Sequence, residues 1–229
     1  TGILRADAFA LTGRGRAALT NAWPSLGAFP FGPLMAQARD ASLEALSDAR
    51  ITAPFELVGG KLTVRSAEIL GASNGALRLR AAAPDGVALD LQEGAISARG
   101  IVETAGGGLP SARLTIARLT WEDGALQSEA TLDINAYRAR GAALAGALAI
   151  SLSADSDRGQ ARVRGAPIMN GPIGGVRAQG LTGPLDLIFS WNDGIRIAPA
   201  NEPCFSLRFA RIQAPGLVFN NGAAAICGS

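Results

Sequence analysis

Asp85-Gly86-Val87-Ala88-Leu89-Asp90-Leu91-Gln92-Glu93-Gly94 is the stretch on which the fold turns. Val87, Leu89 and Leu91 alternate with Ala88, Asp90 and Gln92, the period of two that gives a strand one apolar and one wet face. Asp-Gly before it and Glu-Gly after it are turn formers suited to the positive φ angles of tight hairpins.

The same cadence runs outward in both directions. Alternation returns in Leu62-Thr63-Val64-Arg65, in Leu77-Arg78-Leu79-Arg80 and in Leu148-Ala149-Ile150-Ser151-Leu152-Ser153. It returns again in Leu185-Asp186-Leu187-Ile188-Phe189-Ser190 and in Phe205-Ser206-Leu207-Arg208-Phe209. Gly59-Gly60, Asn74-Gly75, Asp123-Gly124, Asp193-Gly194 and Asn221-Gly222 punctuate the runs. The pattern predicts an antiparallel meander over residues 51–229.

Residues 1–50 read differently. A first strand is expected around Ala8 to Thr12. Pro33 suits a first helical position, and Leu34 to Arg50 carries Leu34, Met35, Ala38, Ala41, Leu43, Ala45 and Leu46 near the helical period, so one amino-terminal helix is expected there, packed on the sheet or capping its end. Ala166 to Gly183, with Pro167, Pro172 and many glycines, reads as irregular connection or as strand broken by bulges. No linker splits the chain, so 1–229 is taken as one domain.

Composition narrows the function. The 229 residues are 48% hydrophobic and 17% charged, and 21 Lys+Arg nearly cancel 19 Asp+Glu, which argues against electrostatic binding of nucleic acid. Histidine is absent, removing the usual general base near neutral pH and the commonest imidazole metal ligand. Without it only a Ser-Lys nucleophile remains, and Lys61, the single lysine, sits beside a Gly-Gly turn. Gly59-Gly60-Lys61-Leu62 lacks the Ser or Thr of a phosphate loop, and Gly106-Gly107-Gly108 misses dinucleotide spacing. Asp155-Ser156-Asp157-Arg158-Gly159 resembles the opening of a calcium loop but lacks its closing Glu, and reads as a hydrated hairpin tip. No enzyme, metal or cofactor is expected.

The functional candidate is the apolar face itself: Leu62, Val64, Leu77, Leu79, Val87, Leu89, Leu91, Leu148, Ile150, Leu152, Leu185, Leu187, Phe189, Phe205, Leu207 and Phe209. Such a face either seals against a second sheet, making a β-sandwich, or lines the inside of a strongly twisted sheet curled into a groove that accepts acyl chains. Aromatics at 5% and hairpins that follow one another without sheet-switching crossovers favour the groove. Arg78, Arg80, Arg113 and Arg208 are candidates for phosphate contacts at its rim, with a solvated outer face as their competing role.

Cys204 and Cys227 bracket a segment rich in strand formers. If Cys204 to Gly216 and Leu217 to Cys227 pair as a hairpin, a cross-strand disulfide is geometrically reasonable, the alternative being two buried reduced thiols. A disulfide in turn implies an oxidising compartment such as a periplasm.

The cadence of Leu109-Pro110-Ser111-Ala112-Arg113-Leu114-Thr115-Ile116-Ala117-Arg118-Leu119-Thr120-Trp121-Glu122-Asp123-Gly124-Ala125-Leu126 resembles the AsmA-like proteins of Gram-negative bacteria. The end of the chain, Cys204 to Phe209, Pro215-Gly216-Leu217 and Cys227, looks most similar to the YdbH branch of that superfamily. The resemblance implies a periplasmic β-groove (β-taco-like) protein, anchored to the inner membrane, that carries phospholipid towards the outer membrane. Members of that branch are longer and begin with a transmembrane helix, so a chain starting at Thr1 is expected to be an amino-terminal portion of one. Two other classes compete: a β-sandwich interaction or assembly module of the cell envelope without lipid cargo, and a β-solenoid passenger, which the variable hairpin lengths disfavour. An open sheet also exposes edge strands to β-augmentation by a partner protein.

Overall fold

The computed structural model describes residues 1–9, 32–45, 49–71, 74–82, 84–139, 141–173, 175–192, 195–200 and 204–227. β1 (Gly2–Phe9) is followed by helix α1 (Gly32–Ala45), β2 (Ala49–Val58), β3 (Lys61–Val64), β4 (Ser66–Leu70), β5 (Ala76–Arg80) and β6 (Gly86–Asp90). The long strands β7 (Ile96–Ala105), β8 (Ala112–Glu122), β9 (Ala125–Ala139) and β10 (Ala142–Ala154) come next. The chain ends with β11 (Gly159–Gly165), β12 (Ile168–Ile173), β13 (Val176–Leu181), β14 (Leu185–Trp191), β15 (Ile195–Pro199), β16 (Cys204–Ala214) and β17 (Leu217–Cys227).

All seventeen strands belong to one sheet, and every pairing is antiparallel. Several segments are halves of one interrupted strand. β3 and β4 both pair with β2, β5 and β6 both with β7, and β11 and β12 both with β10. In the same way β14 and β13 line up along β11 and β12, and β15 and β16 along β14 and β13. Seventeen segments therefore fill twelve places, five fewer, and each place pairs with its neighbours in sequence: the expected meander.

The sheet is open. Among the described residues β1 pairs only with β2 and β17 only with β16, so the two ends do not close into a barrel. Among the described residues no second sheet covers it. The accessible surface of 13561 Å² compares with about 9,700 Å² for a compact monomer of 23.3 kDa. Register shifts in β7–β8, β9–β10 and β12–β13 add local twist, the device by which a long sheet coils into a trough.

The hairpins follow turn chemistry. Glu122 pairs with Ala125, leaving the two-residue loop Asp123-Gly124 with φ of 51° and 76°, the left-handed pair that a tight hairpin matched to strand twist requires. Space beyond Gly124 is open, so only backbone conformation restricts it. Gly124→Ala is expected to destabilise the fold by about 1 kcal/mol through the left-handed φ alone, read as a lower urea midpoint at unchanged m-value.

Three sequence expectations shift. The first strand begins at Gly2 rather than Ala8 and ends at Phe9; residues 10–12 lie outside the described residues. Its register is dictated by β2, since Gly2 lies under the Phe55 ring with no room for a side chain. The described helix is Gly32–Ala45; of the expected span Leu34 to Arg50, residues 46–48 lie outside the described residues, and Ala49 and Arg50 already belong to β2, where Ala49 is fully buried opposite Phe9. Strand β6 stops at Asp90, so Leu91 lies in a turn. There the Asp90 Oδ1 accepts the N–H groups of Gln92 at 2.9 Å and Glu93 at 3.2 Å, which bends the chain and holds the Asp90 carboxyl below its usual range. Ala166 to Gly183 resolves into the bulged-strand option, β12 and β13 with a register shift between Met169 and Gly171.

The core is thin, and alanines make up much of it. One cluster joins Met169, Ala178, Leu181 and Leu207, with Leu144, Leu185, Phe209 and Ile212 against it. Another joins Tyr137 and Ala142, flanked by Ile134 and Leu144. Helix α1 packs on β9 and β10, with Ala41 buried. It enters β2, five strand positions from β9, about 24 Å on a flat sheet, and its 14 residues span about 21 Å. The helix thus crosses one end of the trough. Its first turn has no acid and its last turn no base, so docking rather than its dipole sustains it.

Candidate functional site: one apolar face

Cross-strand partners in a sheet share a face, so the pairings trace which side chains line up. One row near the hairpin tips reads Leu57, Leu62, Leu89, Ile96, Trp121, Leu126, Ala154, Gly159, Trp191 and Ile195, each opposite the next. The next row reads Phe55, Val64, Val87, Ala98, Leu119, Ser128, Leu152, Ala161, Phe189 and Ile197. A row of Ile116, Ala130, Ile150, Val163, Leu187 and Pro199 follows, then one of Ala67, Leu79, Val102, Leu114, Leu132, Leu148, Gly165 and Leu185. A last row runs Ile51, Ile69, Leu77, Thr104, Ala112, Ile134 and Gly146.

These rows carry no charged side chain. A row crossing ten strands is about 43 Å long, so the face is a continuous apolar strip and not a set of pockets. Most of its large side chains with described burial are half-buried, as expected where curvature shelters a face that no second sheet among the described residues covers. The two hollows open mainly on the other face, one lined by Ile3, Pro54, Glu56, Thr63 and Arg65 and one by Ser153, Gln160, Ser190 and Arg196, which stand opposite one another in turn.

The opposite face is ionic. Glu68, Arg78, Glu103, Arg113 and Asp133 stand opposite one another in turn, so charge alternates across the sheet. The Arg78 Nε donates to Glu68 Oε1 at 2.7 Å and the Arg113 guanidinium to Glu103 at 2.7 Å. That bond from Arg113 holds the Glu103 carboxyl below its usual range. Arg162 grips Asp186 through both nitrogens of its fork, which lowers the Asp186 carboxyl in the same way. Opposite charges in register penalise a one-residue slip, which would also turn the apolar rows outward.

This geometry sorts the sequence candidates. Leu62, Val64, Leu77, Leu79, Val87, Leu89, Leu148, Ile150, Leu152, Leu185, Leu187 and Phe189 share the apolar face. Leu207 and Phe209 join it through the Met169 cluster, and Phe205 occupies β16 opposite Ile226. Leu91 does not belong: it is 55% exposed in its turn. The arginines offered as phosphate contacts lie elsewhere. Arg78 and Arg113 are spent on Glu68 and Glu103, Arg80 stands opposite Ile101 on the same outer face, and Arg208 bridges to Thr182 through the backbone.

Sequence reading missed Ile116, Leu119, Leu132, Tyr137, Val163, Met169 and Leu181. Bulges explain part of this. Residues 117 and 118 share one place opposite Arg99, which breaks the alternation between Ile116 and Leu119. Alternation through Leu114 to Leu119, read with one skipped residue, would have found Ile116 and Leu119.

At the carboxyl-terminal edge Cys204 is disulfide-bonded, and Cys227, the other cysteine of the chain, stands directly opposite it in β17. Asp155 closes the β10–β11 hairpin tip by accepting the N–H groups of Asp157 and Arg158. No helix among the described residues is long and apolar enough to cross a membrane. No protein-family model, curated protein or solved structure matches the chain.

Proposed function

We propose that this chain is a lipid-transfer module of the AsmA-like, YdbH type, working in the periplasm as the amino-terminal portion of a protein anchored to the inner membrane. It holds phospholipid acyl chains in its apolar trough on their way between inner and outer membranes. The observation that carries the reading is the uncharged apolar strip on one face of a single open sheet.

The mechanism is solvation and not reaction. Each methylene moved from water to an apolar surface gains about 0.8 kcal/mol, so a strip that shelters two tails offsets most of what leaving a bilayer costs. With every traced charge on the other face, the headgroup stays in water along the rim. The disulfide at Cys204 supports an oxidising compartment. The exposed apolar side chains of the edge strands, Ile3 and Leu4 on β1 and Leu217 to Phe219 on β17, support pairing with a further strand from a partner protein.

Lipid extraction and mass spectrometry of the purified chain test this. Wild type is expected to carry phospholipid at a stoichiometric level. Ile150→Arg, at the middle of the strip, is expected to lose at least about tenfold of it, since a guanidinium cannot enter a tail-filled trough unpaired. Ser151→Arg, one residue on but on the ionic face, should keep it. A wild type free of phospholipid would leave the envelope interaction module as the better reading.

A further inference from the structure

Tyr137 is the only tyrosine of the chain, and by simple alternation it would not face the trough at all. Ile134 lies on the apolar face opposite Gly146, so Tyr137, three residues on, should point to the ionic side. A bulge reverses that. Leu144 pairs with Tyr137 while Gly146 pairs with Ile134, so Asn135 and Ala136 together oppose Ala145. Ala136 takes a φ of 36°, a left-handed conformation unusual for a residue with a Cβ. The backbone accepts this conformation, and the result is a tyrosine turned inward.

The inward position leaves its hydroxyl without a partner. Tyr137 is 7% exposed, among Ala142, Ile134 and Leu144 and at the end of the trough where α1 packs on β9 and β10. Among the described residues its Oη is buried and makes no hydrogen bond, on a face whose rows are apolar apart from Thr104 and Ser128. Burial pushes the phenol up, so the group is a neutral O–H donor throughout the neutral range. A buried donor wants an acceptor, and the ligand of an apolar trough carries one at a fixed place: the ester carbonyl where each acyl chain meets glycerol.

We propose that Tyr137 is a lipid-registering residue, whose hydroxyl donates a hydrogen bond to an acyl ester carbonyl and so sets where a phospholipid halts at the helix-covered end of the trough. This rests on the lipid-transfer reading and adds a polar contact of defined chemistry to it. An apolar strip alone lets a tail slide; a buried donor without a partner gives the slide a stop. The ligand class is accordingly a diester glycerolipid, distinguished by its carbonyls and not by its headgroup.

Competition binding with dipalmitoyl phosphatidylglycerol and its dihexadecyl ether analogue, which has the same headgroup and tails but no carbonyl, separates the outcomes. Wild type is expected to bind the diester about fivefold tighter than the diether. Tyr137→Phe is expected to weaken the diester about fivefold and leave the diether unchanged, with thermal stability equal to or above wild type because an unpartnered hydroxyl is removed. Tyr137→Phe without effect on either lipid overturns the assignment while the lipid reading stands. Equal weakening of both places the contact on the phosphate and overturns the ester assignment. Wild type that binds neither lipid removes the lipid-transfer reading and this inference with it.

Discussion

Met169→Ala is expected to cost 2–5 kcal/mol, the range for truncating a buried long aliphatic side chain, measured as a fall in the midpoint of chemical denaturation. Met169 is 2% exposed, and its neighbours come from β13 (Ala178 and Leu181) and β16 (Leu207), with Leu144 of β10 beside them. Most of this sheet offers nothing comparable: its apolar face is half-open, and many of the fully buried positions are alanines whose truncation removes little. The stability of the carboxyl-terminal half therefore concentrates in this cluster. Leu217→Ala is the control, because Leu217 is 58% exposed on the edge strand and should change stability by less than about 0.5 kcal/mol. Equal midpoints for Met169→Ala and wild type would mean the four strands are not packed through this side chain.

Reduction of the disulfide is the second large effect. Cys204 and Cys227 stand opposite each other at the open end of the β16–β17 hairpin, so the bond closes a loop of about 24 residues, worth roughly 3 kcal/mol on the chain-entropy model. In a protein with a thin core that is a large share of a total that is only about 5–15 kcal/mol for ordinary domains. The loss should be local first. β17 pairs on one side only, so reduction or the pair Cys204→Ser and Cys227→Ser should raise amide exchange in Leu217–Cys227 before it affects β7 to β10. Identical midpoints with and without reductant, and unchanged exchange in β17, would contradict this role.

Much of the molecule was legible in the chain. Apolar alternation in Leu148 to Ser153 or Leu185 to Ser190 is a local property of extended backbone, and turn pairs such as Asp123-Gly124 state their own conformation. From these the antiparallel meander, the helix before β2 and the opposition of the two cysteines could be read directly. What slipped were positions where a short-range hydrogen bond or a partner strand overrides the pattern. Asp90 ends its strand with its own carboxylate and so takes Leu91 out of the face, and β2 claims Ala49 and Arg50 from the expected helix.

The sequence alone therefore determined which residues alternate, where the chain reverses and that one side of the sheet is greasy and the other wet, because these depend on neighbours one or two residues apart. Tertiary structure alone decided which arginines were already spent on carboxylates across the sheet, that the described strands form one sheet with no second one over the apolar face, and that a bulge at Asn135 and Ala136 turns Tyr137 inward. Those outcomes depend on the parity and pairing of strands far apart in the chain. A single extra residue in one strand inverts every side chain beyond it without altering the local pattern that a reader of the sequence sees.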